Sequence, residues 1–179
     1  MGGFMLETSA PEESPPVQIV VMGVSAAGKS TVGCQLAERL KVPFYDADDL
    51  HPKANVEKMR AGMPLNDQDR APWLELVGRT LADSHTGGVI ACSALKRRYR
   101  DAIREQAPAT VFLHLHGTDE LLRHRAEHRE GHFMPPGLLI SQLADLEPLE
   151  KDEPGARVDI ADPPEKIVAV ALQSLSHMV

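Results

Sequence analysis

The chain alternates short apolar runs with longer segments in which apolar residues recur about every fourth position. A short run predicts a buried strand, and a four-residue spacing predicts a helix with one apolar face. The first run is β-branched and ends at a glycine, which is typical of a buried parallel strand. The spacing of Val32, Leu36 and Leu40 predicts a helix over Lys29–Leu40. The predicted strands are Val17–Met22, Val42–Tyr45, Val89–Cys92, Val111–Leu115 and Arg157–Ile160.

Two further helices carry candidate start signals. We place the N-cap of one at Asp69, which leaves Pro72 in the first turn, where a missing N–H costs nothing. Its apolar face runs over Trp73–Leu81. The last helix begins with Asp162–Glu165, which is similar to a capping box with proline in the first turn. Strands that alternate with helices predict an α/β fold with a parallel sheet, helices on both faces and ligands beyond the carboxyl ends of the strands.

Length and composition predict one domain with a real core, because the 179 residues are 42% apolar. We expect this domain to cover 17–179 and to follow a flexible tail over 1–16. The net charge of −7 argues against a non-specific nucleic-acid binder. No apolar run approaches the roughly 20 residues that span a bilayer. Cys34 and Cys92 are too few and too far apart for a disulfide framework or a zinc site, so we expect a cytoplasmic protein.

The segment Gly23–Ser30 matches the phosphate-binding pattern G-x-x-x-x-G-K-[ST] between a predicted strand and a predicted helix. Backbone N–H groups and the helix dipole attract phosphate there. Lys29 adds a full positive charge, and the Ser30 hydroxyl is a candidate ligand for Mg²⁺. We therefore expect ATP and Mg²⁺ as cofactors. The predicted ATP-binding residues are Gly23, Val24, Ser25, Ala26, Ala27, Gly28, Lys29, Ser30 and Thr31.

Ala26 departs from the common form of this loop, in which glycine often occupies its position. A Cβ atom where the backbone needs a positive φ carries a steric cost. Two outcomes stay open: the loop tolerates alanine, or its affinity for nucleotide is reduced.

Two carboxylates, Asp46 and Asp48, follow the second predicted strand. Strand alternation would place them on the same side of the sheet. One carboxylate can hold Mg²⁺ through water, and the other can accept the proton of an attacking hydroxyl. The alternative is a solvated acidic turn, but the position beside the phosphate-binding loop favours a functional pair.

Several blocks of sequence, in the same order along the chain, resemble the gluconate kinase (gluconokinase) family. They are Tyr45–Pro52, Pro64–Arg70 with Pro72–Leu74, Cys92–Lys96 with Tyr99–Asp101, and Glu130–Phe133 with Gln142 and Leu146–Glu147. The resemblance implies phosphoryl transfer from ATP to the 6-hydroxyl of D-gluconate and a three-layer phosphate-loop kinase fold, similar to those of adenylate and shikimate kinases. By that analogy Asp48 orients or deprotonates the hydroxyl, Asp46 supports the metal, and the protein forms a homodimer.

A polyhydroxy acid needs cations for its carboxylate and polar groups for its hydroxyls. Arg70 and Arg100 offer planar forks that suit a carboxylate. Each candidate could instead be part of an ordinary surface ion pair or a helix cap. The candidate substrate-binding residues are Asp48, His51, Asn66, Arg70, Ser93, Lys96, Arg100 and His132.

Arg125 and Arg129 lie four apart in a predicted helix, which would place them on one face. Glycine and proline residues follow, and we expect a small lid over about 125–140 that brings these arginines to the phosphates. A solvated basic face is the alternative. With Lys29 and Asp48, the two arginines complete the predicted catalytic set.

The segment His124–His128 also matches H-x-x-E-H, a zinc-protease pattern. Zinc would need a third protein ligand and a cleft, so we favour the lid. Two other functions remain open: a kinase for another small hydroxy or sugar acid such as shikimate, and a nucleotide-binding switch. A switch needs no acceptor pocket, so the Asp46–Asp48 pair speaks against it.

Overall fold

The computed structural model describes residues 14–131 and 135–179. Most of the predicted tail and the candidate substrate residue His132 lie outside the described residues. Within them, no helix combines the length and the apolar character that a membrane span requires.

Five parallel strands form one sheet, in the order β2-β3-β1-β4-β5. They are β1 (Val17–Met22), β2 (Phe44–Asp46), β3 (Gly87–Ala91), β4 (Val111–His116) and β5 (Gly155–Asp159). This arrangement confirms the predicted α/β fold and places the first strand at the centre. The phosphate-binding loop therefore starts from the most enclosed strand of the sheet.

The helices of the described part alternate with the strands. They are α1 (Lys29–Leu40), α2 (Lys53–Arg60), α3 (Asp67–Ala82), α4 (Arg97–Gln106), α5 (Asp119–Glu127), α6 (Pro136–Asp145) and α7 (Pro164–Leu175), with a 3-10 turn over Ala47–Leu50. Both β1 and α1 begin and end where the hydrophobic pattern predicts.

The sheet separates two apolar layers. Alternation along β1 sends Ile19 and Val21 into one layer, which α1 and α7 cover, and sends Val20 and Met22 into the other, which α3 and α4 cover. All four side chains are fully buried. Burial on both faces explains why β1 appears in the sequence as a continuous apolar run instead of an alternating one.

The start of α3 differs from the prediction. Asn66, not Asp69, is the N-cap: its side chain accepts from the Asp69 N–H, and the Asp69 carboxylate accepts from the Asn66 N–H, both at 2.9 Å. This reciprocal capping box uses both polar residues, so either could be mistaken for the cap. Pro72 consequently lies inside the helix, where it leaves the Gln68 carbonyl without its helical donor.

The start of α7 also differs. Its first residue is Pro164 and its N-cap is Pro163, whose side chain makes no capping hydrogen bond. The Asp162 carboxylate instead accepts from Lys166 Nζ at 3.0 Å. The capping box predicted at Asp162 is therefore wrong, because a lysine one turn away binds its carboxylate.

Arg100 corrects a functional prediction. Its side chain is fully buried, and its guanidinium donates to both carboxylate oxygens of Glu153, at 2.6 and 3.0 Å, and to the Ala94 carbonyl at 3.0 Å. Burial alone would raise the pKa of Glu153, but the hydrogen bonds from Arg100 and the Glu150 N–H lower it overall. Removing one partner of such a pair costs about 3–5 kcal/mol. Arg100 therefore joins α4 to the segment before β5 and has no exposed atom for a substrate.

Candidate active site

A cavity of about 660 Å³ opens at the carboxyl ends of the strands, where the α/β pattern predicts the ligand site. Its size fits a small-molecule site. The residues that line it are Ser25, Ala26, Gly28, Lys29, Ser30, Thr31, Asp46, Asp48, Met59, Ala91, Cys92, Ser93, Arg125, Arg129, Leu138 and Gln142. It thus brings together the phosphate-binding loop, both predicted carboxylates and both predicted catalytic arginines.

Glycine is required at both ends of the phosphate-binding loop. Gly23 has φ 145°, and a Cβ atom there would lie 2.7 Å from the Leu115 carbonyl oxygen. Its N–H donates to the Ser93 carbonyl at 3.3 Å, which ties the loop to the end of β3. Gly28 has φ 88° and caps α1. The first N–H groups of α1 have no helical acceptor, so this end of the cavity attracts an anion.

Lys29 lies across the loop, because its Nζ donates to the Val24 carbonyl at 2.9 Å. Burial lowers the pKa of Lys29 to about 8, and Arg129 acts in the same direction, whereas Cys92, Asp48 and Asp46 oppose the shift. A phosphate beside Nζ would stabilise its charged form. An anionic ligand beside the loop would therefore offset the cost of burying the positive charge of Lys29.

Ala26 adopts φ 69°, in the left-handed region that disfavours a Cβ atom. This loop connects β1 to α1, so we expect the cost of a left-handed alanine to fall on the stability of the fold and not on nucleotide affinity.

We expect Ala26→Gly to raise the free energy of unfolding by about 1 kcal/mol, because a left-handed alanine costs ~1–2 kcal/mol and the greater chain entropy of glycine offsets part of the gain. Urea unfolding measures this. The ATP dissociation constant should stay close to that of the original chain. Ala27→Gly is the matched control: Ala27 is buried and has no positive φ, so glycine there should destabilise. Equal destabilisation by both changes would contradict strain at Ala26.

Asp46 links the strand end to the phosphate-binding loop. It is the last residue of β2; its Oδ1 accepts from the Asp48 N–H at 3.0 Å, and its Oδ2 accepts from Ser30 Oγ at 3.3 Å. The 3-10 turn after β2, and not strand alternation, brings Asp48 beside it, which corrects the predicted geometry. A hydroxyl and a carboxylate oxygen side by side suit Mg²⁺, which prefers hard oxygen ligands.

Asp48 has a carboxyl group whose pKa is raised by its surroundings. Asp48 is exposed towards the cavity, and partial desolvation of its carboxyl group raises its pKa; Asp46 adds to the shift, whereas His51 and Lys29 oppose it. A carboxylate with a raised pKa, near the phosphate-binding loop, can accept a proton from a hydroxyl. The geometry is thus compatible with the predicted role of Asp48.

Cationic side chains gather around Tyr99 and Asp67, outside the lining of the cavity. Arg70 donates to the Tyr99 hydroxyl at 3.3 Å, and Tyr99 in turn donates to Asp67 at 2.7 Å. The guanidinium carbons of Arg70 and Arg98 lie 5.5 and 5.4 Å from the Tyr99 ring centroid. The Tyr99 hydrogen bond lowers the pKa of Asp67, and Arg98, Lys96 and Arg70 lower it further. Arg70 and Lys96 both lie close enough to Asp67 to lower its pKa, but neither lines the cavity.

Two other predicted substrate residues have structural partners. His51 stacks on Trp73 at 4.2 Å between ring centroids, and burial lowers its pKa, partly opposed by Asp48. The side-chain oxygen of Asn66 is occupied by the Asp69 N–H at the start of α3. Ser93 lines the cavity, directly after the end of β3.

The two predicted catalytic arginines occupy different local structures. Arg125 lies in α5 and donates to the Ile160 carbonyl at 2.6 Å. Arg129 lies beyond the end of α5 at Glu127, so the helical spacing used to pair them is wrong. Among the described residues Arg129 has no hydrogen-bonding or ion-pair partner, and it lies close enough to Lys29 to lower its pKa. The lid itself stays a prediction.

The H-x-x-E-H segment has a local explanation. The rings of His124 and His128 stack at 4.2 Å, and His128 Nδ1 donates to the His124 carbonyl at 2.8 Å. No group of three potential metal-ligating side chains occurs within the part of the chain that the structure describes.

Gln142 is a cavity residue to which sequence reasoning gave no role. Its Oε1 accepts from the Ser25 N–H of the phosphate-binding loop at 2.6 Å, across 117 positions of sequence. No local pattern links two positions so far apart. The resemblance alone drew attention to Gln142, without indicating this contact.

Comparisons with known proteins agree with this geometry. A family model described as shikimate kinase matches residues 25–137. A gluconokinase from Gluconobacter oxydans is 50% identical over 146 residues, which cover 80% of this chain and 82% of that protein. The thermosensitive gluconokinase of Escherichia coli is 44% identical over 145 residues, covering 79% of this chain and 78% of that protein.

A solved structure gives the same result at the level of the fold. The structure of a gluconokinase from Sinorhizobium meliloti, 48% identical, superposes with a TM-score of 0.82 and covers 91% of this chain and 93% of that one. The chain therefore belongs to the gluconokinase family, within the shikimate-kinase-like group of phosphate-loop kinases.

Proposed function

We propose that the chain transfers the γ-phosphoryl group of ATP to the 6-hydroxyl of D-gluconate, which yields ADP and 6-phospho-D-gluconate. The observation that carries this proposal is the shared cavity of Lys29 and Asp48. One side chain is suited to a phosphate and the other to the proton of an attacking hydroxyl. The identity to gluconokinases over most of the chain supports gluconate as the acceptor.

The nucleotide half of the site follows from the loop Gly23–Ser30. Its backbone N–H groups and those of the first turn of α1 bind the phosphates, and Lys29 neutralises the charge nearest the transferred group. Ser30 Oγ and Asp46 Oδ2 are the groups that would hold Mg²⁺. When bound, Mg²⁺ supplies charge neutralisation across the terminal phosphates.

The acceptor half follows from Asp48 and the cations beside it. Asp48 takes the proton of the 6-hydroxyl as the oxygen attacks phosphorus, and ADP leaves on the opposite side. Arg70 and Lys96 bind the carboxylate at the other end of gluconate. Lys96 Nζ lies 3.8 Å from the Asp145 carboxylate, a long separation for an ion pair, and we infer that an anionic substrate competes for its charge.

The test is an assay of ADP release with Mg-ATP and a panel of acids that contains gluconate, shikimate and glycerate. We expect turnover with gluconate to exceed that with the other two acids by at least about 10²-fold, because both have fewer hydroxyls, in different positions, and would leave hydrogen-bonding groups of the site unpaired. Faster turnover with shikimate or glycerate would reassign the acceptor. Slow release that is equal with and without acid would indicate a nucleotide switch. A homodimer and a cytoplasmic location stay predictions of the sequence.

A further inference from the structure

Gln142 makes a side-chain hydrogen bond to the backbone of the phosphate-binding loop across 117 positions of sequence. Its Oε1 lies 2.6 Å from Ser25 N. A backbone N–H can only donate, so the carbonyl oxygen of the Gln142 amide must face the loop. The NH2 group of the same amide is then left for another acceptor. Within the described ranges, no acceptor occupies this Nε2.

The position of Gln142 is fixed by the helix that carries it. Leu139, one turn earlier in α6, is only 3% exposed and belongs to the apolar layer under α1 and α7. Leu143 and Leu146 pack against the same layer. Asp145 lies 3.8 Å from Lys96. The helix is thus anchored in the core and contacts the phosphate-binding loop and the acceptor side at once.

The cavity limits what the free NH2 group can meet. Gln142 lines it together with Lys29, Asp48 and Arg129. Lys29 reaches the terminal phosphates in loops of this type, and Asp48 faces the acceptor hydroxyl in the proposed function. The transferred phosphoryl group must lie between those two side chains. A neutral NH2 donor there can bond its oxygens without the desolvation cost of another charge.

We propose that Gln142 is a further catalytic residue, whose NH2 group donates to an oxygen of the γ-phosphoryl group while its carbonyl oxygen stays on the Ser25 N–H. This inference rests on the proposed function for the identity of the acceptor, but its contact concerns ATP alone. Because ADP lacks the γ-phosphoryl group, Gln142 would bind ATP more tightly than ADP. Its two hydrogen bonds would also fix the position of the γ-phosphoryl group relative to the loop.

The test compares two variants with the original chain. Gln142→Met keeps the approximate size of the side chain but removes both the donor and the oxygen that accepts from Ser25; Gln142→Glu keeps an acceptor for Ser25 and places a carboxylate oxygen where the donor was. For both we expect kcat with gluconate, and the affinity for a non-hydrolysable ATP analogue with Mg²⁺, to fall about 10- to 100-fold, as for a lost hydrogen bond to a charged group. ADP affinity of the Met variant should stay unchanged.

The control is Gln173→Glu, which makes the same chemical change on the exposed face of α7 and should leave all three values unchanged. Two results would overturn the inference. One is a Met variant that binds the ATP analogue more tightly at unchanged kcat, which would mean that Gln142 only competes with nucleotide for Ser25. The other is equal loss of ADP and ATP-analogue affinity. Because both nucleotides are tested without acceptor, failure of gluconate as substrate would leave this test intact.

Discussion

Asp48→Asn should lower kcat with gluconate by about 10²–10⁴-fold, the usual contribution of a positioned proton acceptor. Asparagine has nearly the same shape as aspartate but cannot take the hydroxyl proton. The affinity for Mg-ATP should survive, because the loop and Lys29 are unchanged. Turnover assays and nucleotide titration, performed on the same preparation, separate the two effects.

The neighbouring carboxylate offers a matched control. Asp49 is exposed and does not line the cavity, so Asp49→Asn should retain turnover close to that of the original chain.

The raised pKa of Asp48 also predicts the direction of the pH dependence of kcat. Desolvation and Asp46 raise the pKa of Asp48. As the pH is lowered, protonation of Asp48 should therefore reduce kcat, and this decline should begin at a higher pH than for an ordinary aspartate. Intact turnover in Asp48→Asn would contradict the role of Asp48 as proton acceptor.

Arg129→Ala is the second change with a large expected effect. A guanidinium that stabilises a transferring phosphoryl group contributes about 10³–10⁵ in kcat. Arg129 lines the cavity and has no protein partner among the described residues, so its charge is available to a ligand. We expect kcat to fall by about 10³-fold or more, with a smaller change in ADP affinity, because ADP lacks the transferred group.

The control for Arg129 is a nearby arginine outside the cavity. Arg123 is exposed on α5 and lines a separate surface hollow, so Arg123→Ala should leave kcat unchanged. An exposed arginine that forms only surface ion pairs contributes about 0–1 kcal/mol. If Arg129→Ala behaved like Arg123→Ala, Arg129 would be part of an ordinary solvated basic surface.

The central part of the fold was predictable because its signals are local. An uninterrupted apolar run can be buried on both faces, which fixes β1, and the loop pattern fixes the start of α1 at Lys29. The second strand was placed two residues too early. Val42 N donates to the Ala37 carbonyl and so belongs to the end of α1, which shifts the strand to Phe44–Asp46. Apolar character alone cannot distinguish a helix end from a strand start.

Long-range partners explain most of what the sequence could not indicate. Arg100 and Glu153 are 53 positions apart, and the sequence of α4 contains no sign that its arginine is enclosed. Arg100 was therefore predicted to bind the substrate, whereas its guanidinium is buried and pairs with Glu153. Gln142 is the opposite case, a residue without a predicted role that contacts the phosphate-binding loop. For both residues, the type of side chain allows more than one role, and only the partner seen in the structure shows which role it has.

The phosphorus NMR spectrum of the product shows which hydroxyl of gluconate receives the phosphoryl group. The protein is incubated with Mg-ATP and D-gluconate, and the product is observed without proton decoupling. Transfer to the 6-hydroxyl places phosphorus next to a CH2 group, so we expect one phosphomonoester signal split into an apparent triplet by two protons that couple to phosphorus with similar strength. A doublet would mean transfer to a secondary hydroxyl. Inorganic phosphate alone would mean that the Lys29–Asp48 cavity hydrolyses ATP and transfers nothing to gluconate.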